Sequence, residues 1–261
     1  RTPFYAESGG QVSDTGTIAS ERGEVRVDHV RRNDRGEIVH RGAVTHGEAG
    51  PGPWTASIPM ETRRSTERNH TATHLLHAAL RQVLGAHVAQ AGSLVAPDRL
   101  RFDFQHFSPI TAGQKEEIEK IVNREILADT AVATEWDTLE RARANGSMAL
   151  FGEKYADWVR QVIVGSFSRE LCGGTHVRRT GEIGAFRLLV DESVSAGTRR
   201  VEAATGWKAV RLLSEDEELI ARLSETLKTT RAELEDRIRT VVSENEALRR
   251  DMDRLKSAAV N

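Results

Sequence analysis

RNHTATHLLHAALRQVLGAHVAQAGSLV, residues 68–95, carries the pattern around which the remainder of the chain is read. Leu75, Leu76, Ala79, Leu80 and Val83 recur at helical steps and make one apolar face, so a helix is predicted over 68–84. The pattern turns helical at Met60, and Gly85 supplies the stop. On that helix His70 and His74 stand at i and i+4, one turn apart on one face. Far downstream lies Cys172-Gly173-Gly174-Thr175-His176, with the single cysteine of the chain. One thiolate and three imidazoles are a fitting donor set for Zn²⁺, which takes sulfur and nitrogen tetrahedrally. The Gly173-Gly174 pair lets the backbone turn tightly between Cys172 and His176. The competing reading is a pair of partly exposed helical histidines and a buried free cysteine that packs as a small hydrophobe. A His-x-x-x-His pair arises readily in a chain with nine histidines, so spacing alone leaves both readings open.

Upstream, residues 24–30 alternate as a half-buried strand, Asn33-Asp34-Arg35-Gly36 is a turn, and 37–45 reads as the return strand. Residues 54–58 add another strand after Pro51-Gly52-Pro53. Short strands with turn signals argue for a small β-barrel over 1–59. Downstream, strands are predicted at 88–95 and 100–104. A helix follows, capped by Thr111 and running to about Ala128. Then come a strand at 130–135, a short helix at 139–144, a strand at 159–164 leading toward Cys172, and a strand pair at 185–194 and 198–204. This order of strands and helices makes the fold class α+β. Residues 205–261 read as one long charged helix. Leu234, Ile238, Val241, Asn245, Leu248, Met252 and Leu255 form a heptad seam on it, with one polar position. A helix partner, a second copy included, is the expectation for that seam.

The chain has 261 residues, 37 Lys+Arg against 39 Asp+Glu, and a net charge of −2. That balance excludes a uniformly basic nucleic-acid binder and leaves RNA contact to local pairs. Those pairs are Arg31-Arg32, Arg63-Arg64, Arg178-Arg179 and Arg199-Arg200, each of which reads first as solvated surface. One cysteine excludes an internal disulfide and fits a reducing, cytoplasmic setting. No apolar run is long enough to span a membrane. The chain opens at Arg1 without methionine, as expected of a piece of a longer protein.

The phrases TPFYAESGGQVSDTG (2–16), 68–95 above, RLRFDF (99–104), LCGGTH (171–176) and GTRRVEAATG (197–206) resemble the editing region of the alanyl-tRNA synthetases, in that family's order. They also resemble its stand-alone AlaX-type relatives and, more distantly, the amino-terminal editing domain of threonyl-tRNA synthetases. The resemblance implies a zinc-binding α/β editing domain over 60–204, a barrel subdomain before it, and the start of an oligomerisation region after it. It implies zinc on His70, His74, Cys172 and His176. It implies hydrolysis of seryl or glycyl esters at the 3′ acceptor end of alanine tRNA. Thr73 and Gln90 match positions linked to editing, and Gly9 and Gly10 lie in a stretch near that site. Thr73 could instead bond back to its own helix, Gln90 could face solvent, and the glycines could simply form a turn. No Asp or Glu stands next to the ligands in sequence as in His-Glu-x-x-His, so no general base is assigned. No stretch resembles the ATP-dependent ligase domain. A zinc-stabilised RNA-binding and dimerisation module without activity is the reading from a different class.

Overall fold

The computed structural model describes residues 2–148 and 155–260. Its contacts divide the chain into two compact units, one up to Ala209 and one from Val210 onward.

The first unit opens with four strands, β1 (Gly16–Ser20), β2 (Gly23–Arg32), β3 (Ile38–Gly47) and β4 (Thr55–Ser57), all paired antiparallel. The β2–β3 turn follows its sequence. Asn33 Oδ1 accepts from the backbone N–H groups of Arg35 and Glu37, and Gly36 takes a positive φ of 79°. The ladders run in the linear order β3-β2-β1-β4. Among the described residues no ladder joins the two edges, so the pairing gives an open sheet in place of the expected barrel. Phe4, Val27 and Val30 bury one face of it.

Helix α1 (Met60–Leu84) follows and stops at Gly85, whose φ is 117°. Its stripe of Ala72, Leu75, Leu76, Ala79 and Leu80 is fully buried. It joins one core with Ile118, Ile121 and Val122 of α2 (Ala112–Leu127) and with Phe102 and Phe104 of the sheet beneath. That sheet, antiparallel throughout, comprises β5 (Gln90–Val95), β6 (Leu100–Gln105), β10 (Phe186–Ser195) and β11 (Thr198–Thr205) in the order β10-β11-β6-β5. Thr111 caps α2 in a reciprocal box with Gln114: each side chain bonds the other's backbone N–H, at 3.2 and 2.9 Å. A third sheet, β7-β8-β9, is built from β7 (Val132–Thr138), β8 (Trp158–Val164) and β9 (Ser168–Leu171), with α3 (Leu139–Ala144) after β7. The short strand β9 follows a turn at Gly165, where φ is 50°, and delivers the chain to Cys172.

The one long terminal helix expected from 205 onward is two: α4 (Gly206–Leu227) and α5 (Leu234–Val260). Lys228 takes a positive φ of 50° and ends α4. Thr230 is extended, and its hydroxyl meets Glu233 Oε2 at 2.9 Å before the next helix starts. Thr230-Arg231-Ala232-Glu233 has Thr-x-x-Glu spacing within an otherwise helical pattern, with the two side chains bonded to each other and no side-chain cap on the backbone. Leu248, Met252 and Leu255 of the seam are 63, 55 and 69% exposed. Among the described residues no helix is long and apolar enough to cross a membrane.

Candidate metal centre

Along α1 from Asn69 to His77 nearly every side chain is buried, polar ones included. The apolar stripe faces the sheet, and the polar remainder needs partners. His70 and His74 face the loop after β9, which carries Cys172 and His176. The candidate ligand atoms of these four residues lie within 4.8 Å of one another. Cys172 Sγ is 3.3 Å from both His70 Nε2 and His176 Nε2. Ligand atoms around tetrahedral zinc must stand about 3.3–3.6 Å apart, given bond lengths near 2.0–2.3 Å. His74 Nε2 is buried without a hydrogen-bond partner among the described residues.

Each imidazole is held by its other nitrogen. His70 Nδ1 is 2.6 Å from Gln11 Oε1, His74 Nδ1 is 2.7 Å from Glu170 Oε2, and His176 Nδ1 is 3.2 Å from Thr71 Oγ1. Gln11 is itself tied down: its Oε1 accepts from the Thr175 N–H, and its Nε2 donates to Thr175 Oγ1, both at 2.9 Å. Arg160 Nη1 donates to the carbonyls of Cys172 and Gly174 at 2.8 and 2.9 Å, which fixes the loop against β8. Contacts of this kind orient imidazoles and set their tautomers, as an outer shell does around a metal. Gly174 is needed there, since a Cβ would collide with the His70 ring and come 2.8 Å from Gln11 Oε1.

Burial alone would push the Cys172 thiol up, but the His70, His176 and His74 imidazoles outweigh it and hold it well below the ordinary value. Burial, reinforced by His70, pushes His176 down to about 3, against the Cys172 charge. A thiolate and a neutral imidazole are the states that ligate, so a metal arriving at the cluster would displace the proton that His74 holds. Burial opposes charge on His74, yet Glu170 and Cys172 raise it to about 10. Glu170, despite burial that would raise it, is held down at about 2 by His74 and His77. An acidic residue therefore stands beside His74 in the fold, although no His-Glu-x-x-His spacing marks one in the sequence. It arrives from β9, not from the helix, and grips His74 and His77 through Nδ1 at 2.7 and 2.9 Å.

His70, His74 and Cys172 form part of the wall of a cavity of about 300 Å³. Thr73, Gln90, Ser93, Gly9, Tyr5, Trp136 and Trp158 also line it. Thr73 does bond back to its helix, donating to the Asn69 carbonyl at 2.8 Å, but it faces the cavity as well. Gln90 Nε2 donates to Ser93 Oγ at 3.1 Å. Gly9 has open space where a Cβ would project, whereas at Gly10 a Cβ would meet the Ser93 backbone. Gly10 instead holds the edge of β5, its carbonyl accepting from the Val95 N–H at 2.8 Å. Burial first, and the Cys172 charge second, push Tyr5 up to about 12, so its hydroxyl stays a donor, to the Ser8 carbonyl at 3.0 Å.

The basic pairs are largely spent within the protein. Arg63 pairs with Asp14, Arg64 with Glu67, Arg179 with Asp129, Arg199 with Asp191 and Arg200 with Asp103.

The model of the threonyl and alanyl tRNA synthetase second additional domain matches residues 159–202, a span that includes Glu170, Cys172 and His176. The model of class II (A) tRNA synthetases matches residues 1–55, within the stretch 1–59 that the sequence reading sets as a subdomain ahead of the editing domain. Alanine--tRNA ligase of Thermus thermophilus is 49% identical over 266 aligned positions, covering 100% of this chain and 30% of that relative. The ligase of Methylococcus capsulatus is 48% identical, covering 98% of the chain and 30% of its own length. That of Thermotoga maritima is 50% identical over 91% of the chain and 28% of its own length. The chain thus spans about 30% of the length of these curated relatives. Over that span it is a homologue of the alanine--tRNA ligases, in the region that carries the second additional domain.

Proposed function

We propose that the chain hydrolyses the ester joining serine or glycine to the 3′ acceptor end of alanine tRNA, as the editing part of a cytoplasmic alanine--tRNA ligase. The observation that carries this reading is the His70, His74, Cys172 and His176 cluster, three of whose residues (His70, His74 and Cys172) line the cavity with Thr73 and Gln90 beside them. The donor set fits zinc, which when bound would supply Lewis acidity toward the ester carbonyl. The protein's own groups do the rest. Gln11, Glu170 and Thr71 hold the imidazoles in the ligating orientation, and the cavity wall positions the ester.

Discrimination has a physical basis. An apolar pocket separates side chains that differ by one hydroxyl only about a hundredfold, so an aminoacylation site lets errors through. Thr73 has given its proton to the helix, and its lone pairs are left to accept from a serine hydroxyl. Alanine would leave them unmatched. In deacylation of seryl- and alanyl-tRNA(Ala), the chain is expected to release serine faster than alanine. Thr73→Val or Gln90→Ala is expected to lower the seryl-to-alanyl ratio about tenfold to a hundredfold. Equal release of both amino acids by the native chain, or unchanged ratios in both variants, would oppose this reading.

A second reading has its own observation. Four protein ligands close a tetrahedron and suit a structural metal, as in a zinc-stabilised tRNA-binding module without activity. A stand-alone AlaX-type editor would share the site and differ in lacking the ligase around it. The exposed seam of α5 supports pairing with another helix, a second copy included, because steps of four and three hold only under supercoiling. Sedimentation is expected to show concentration-dependent association that is lost on truncation after Trp207. Two monomeric species up to high micromolar concentration would leave self-pairing without support.

A further inference from the structure

Trp136 and Trp158 are 66 and 62% exposed, an unusual state for the largest apolar side chains, and both line the cavity. Their placement follows from strand register. Trp136 pairs with Arg160 across β7 and β8, and Arg160 accepts the Cys172 N–H at its carbonyl, 3.0 Å away. Trp136, Arg160 and Cys172 therefore form one row on one face of the sheet. Trp158, opposite Thr138, lies on the same face two residues along. Strands sit about 4.8 Å apart, which sets Trp136 roughly 10 Å across the sheet from Cys172.

We propose that Trp136 and Trp158 form a stacking platform for the unpaired bases just before the 3′ end of the RNA substrate. The proposal rests on the reading above that the ester sits at a tRNA end. It follows from what surrounds the cluster. A ribose ester that reaches the ligands through the cavity must lay its preceding nucleotides on the mouth of that cavity. The mouth offers two exposed indoles, and the guanidinium of Arg160 lies between them and the ligand loop. Single-stranded bases bind by stacking on such rings, tolerantly of sequence because every base has a π-face. The chain carries no excess of basic charge, and most of its arginine pairs are engaged in internal ion pairs, so stacking has more of the binding to supply.

The test uses a fluorescent acceptor-stem minihelix with its unpaired 3′ nucleotides, and the same minihelix trimmed to a blunt end. Native protein is expected to bind the intact form more tightly and to show quenched tryptophan emission with it. Trp136→Ala and Trp158→Ala are each expected to weaken binding of the intact form about 5- to 100-fold and to leave the trimmed form unchanged. Trp136→Phe and Trp158→Phe keep a ring and are expected to stay within about threefold of native binding. In deacylation the alanine variants raise KM with little change in kcat. Native protein without preference for the intact end, or alanine variants that bind both forms as native protein does, would overturn the platform. The latter is also the outcome if the indoles serve a protein partner. Absence of hydrolysis alongside a ring-dependent preference for the intact end would remove the editing reading and keep the RNA platform.

Discussion

Purified native protein is expected to carry one zinc ion per chain, and Cys172→Ala is expected to lose it. The thiolate is the only anionic donor of the four, and three imidazoles stabilise it in place. Without it the cluster keeps neutral donors around a dication in a largely buried site, where unbalanced charge is costly. Glu170→Gln should give a milder result. Its carboxylate bonds His74 and His77 without belonging to the four-ligand cluster, and loss of such a partner typically costs 10- to 100-fold in metal affinity. Metal analysis after dialysis against a graded chelator series reads both effects. Zinc retained in Cys172→Ala would show that the metal, if present, is held elsewhere.

Gly174→Ala should be nearly as damaging, although it removes no ligand. The added methyl group points at the His70 ring and at Gln11 Oε1, 2.8 Å away. Either the ring leaves its ligating position or the loop that carries Cys172 and His176 lifts. Zinc affinity is expected to fall at least 100-fold, beyond the usual cost of disturbing an outer partner, because two ligand-bearing elements move apart. The neighbouring Gly173 supplies the control: it has nothing within 4 Å of a Cβ, so Gly173→Ala should bind zinc as the native chain does. Equal affinity in both variants would mean that the loop yields without moving its ligands.

These contrasts show which parts of the site were legible in sequence. Helix α1, its stop at Gly85 and the cap at Thr111 depend on neighbours within a turn or two, so local pattern reveals them. His70 and His74 share a face for the same reason. The outer partners do not work that way. Gln11 reaches His70 across 59 positions, and Glu170 reaches His74 across 96. Nothing local marks Glu170 as different from any other glutamate until β9 turns it inward. The arginine pairs mislead in the same manner, since Asp103 neutralises Arg200 from 97 positions away. The break between α4 and α5 is a different case: Thr230 and Glu233 at cap spacing were a local signal, hidden by the continuous charge pattern on both sides. Strand β9 has only four residues, too few for alternation to stand out.

The most direct measurement is release of serine from seryl-tRNA(Ala) by zinc-loaded protein, by the same protein stripped of metal, and by the stripped protein after zinc is restored, with helical circular dichroism followed in each. The account predicts hydrolysis in the loaded form, loss on stripping while the helical signal is retained, and recovery with zinc. Hydrolysis that persists unchanged in the stripped protein, or none in the loaded protein, would contradict it.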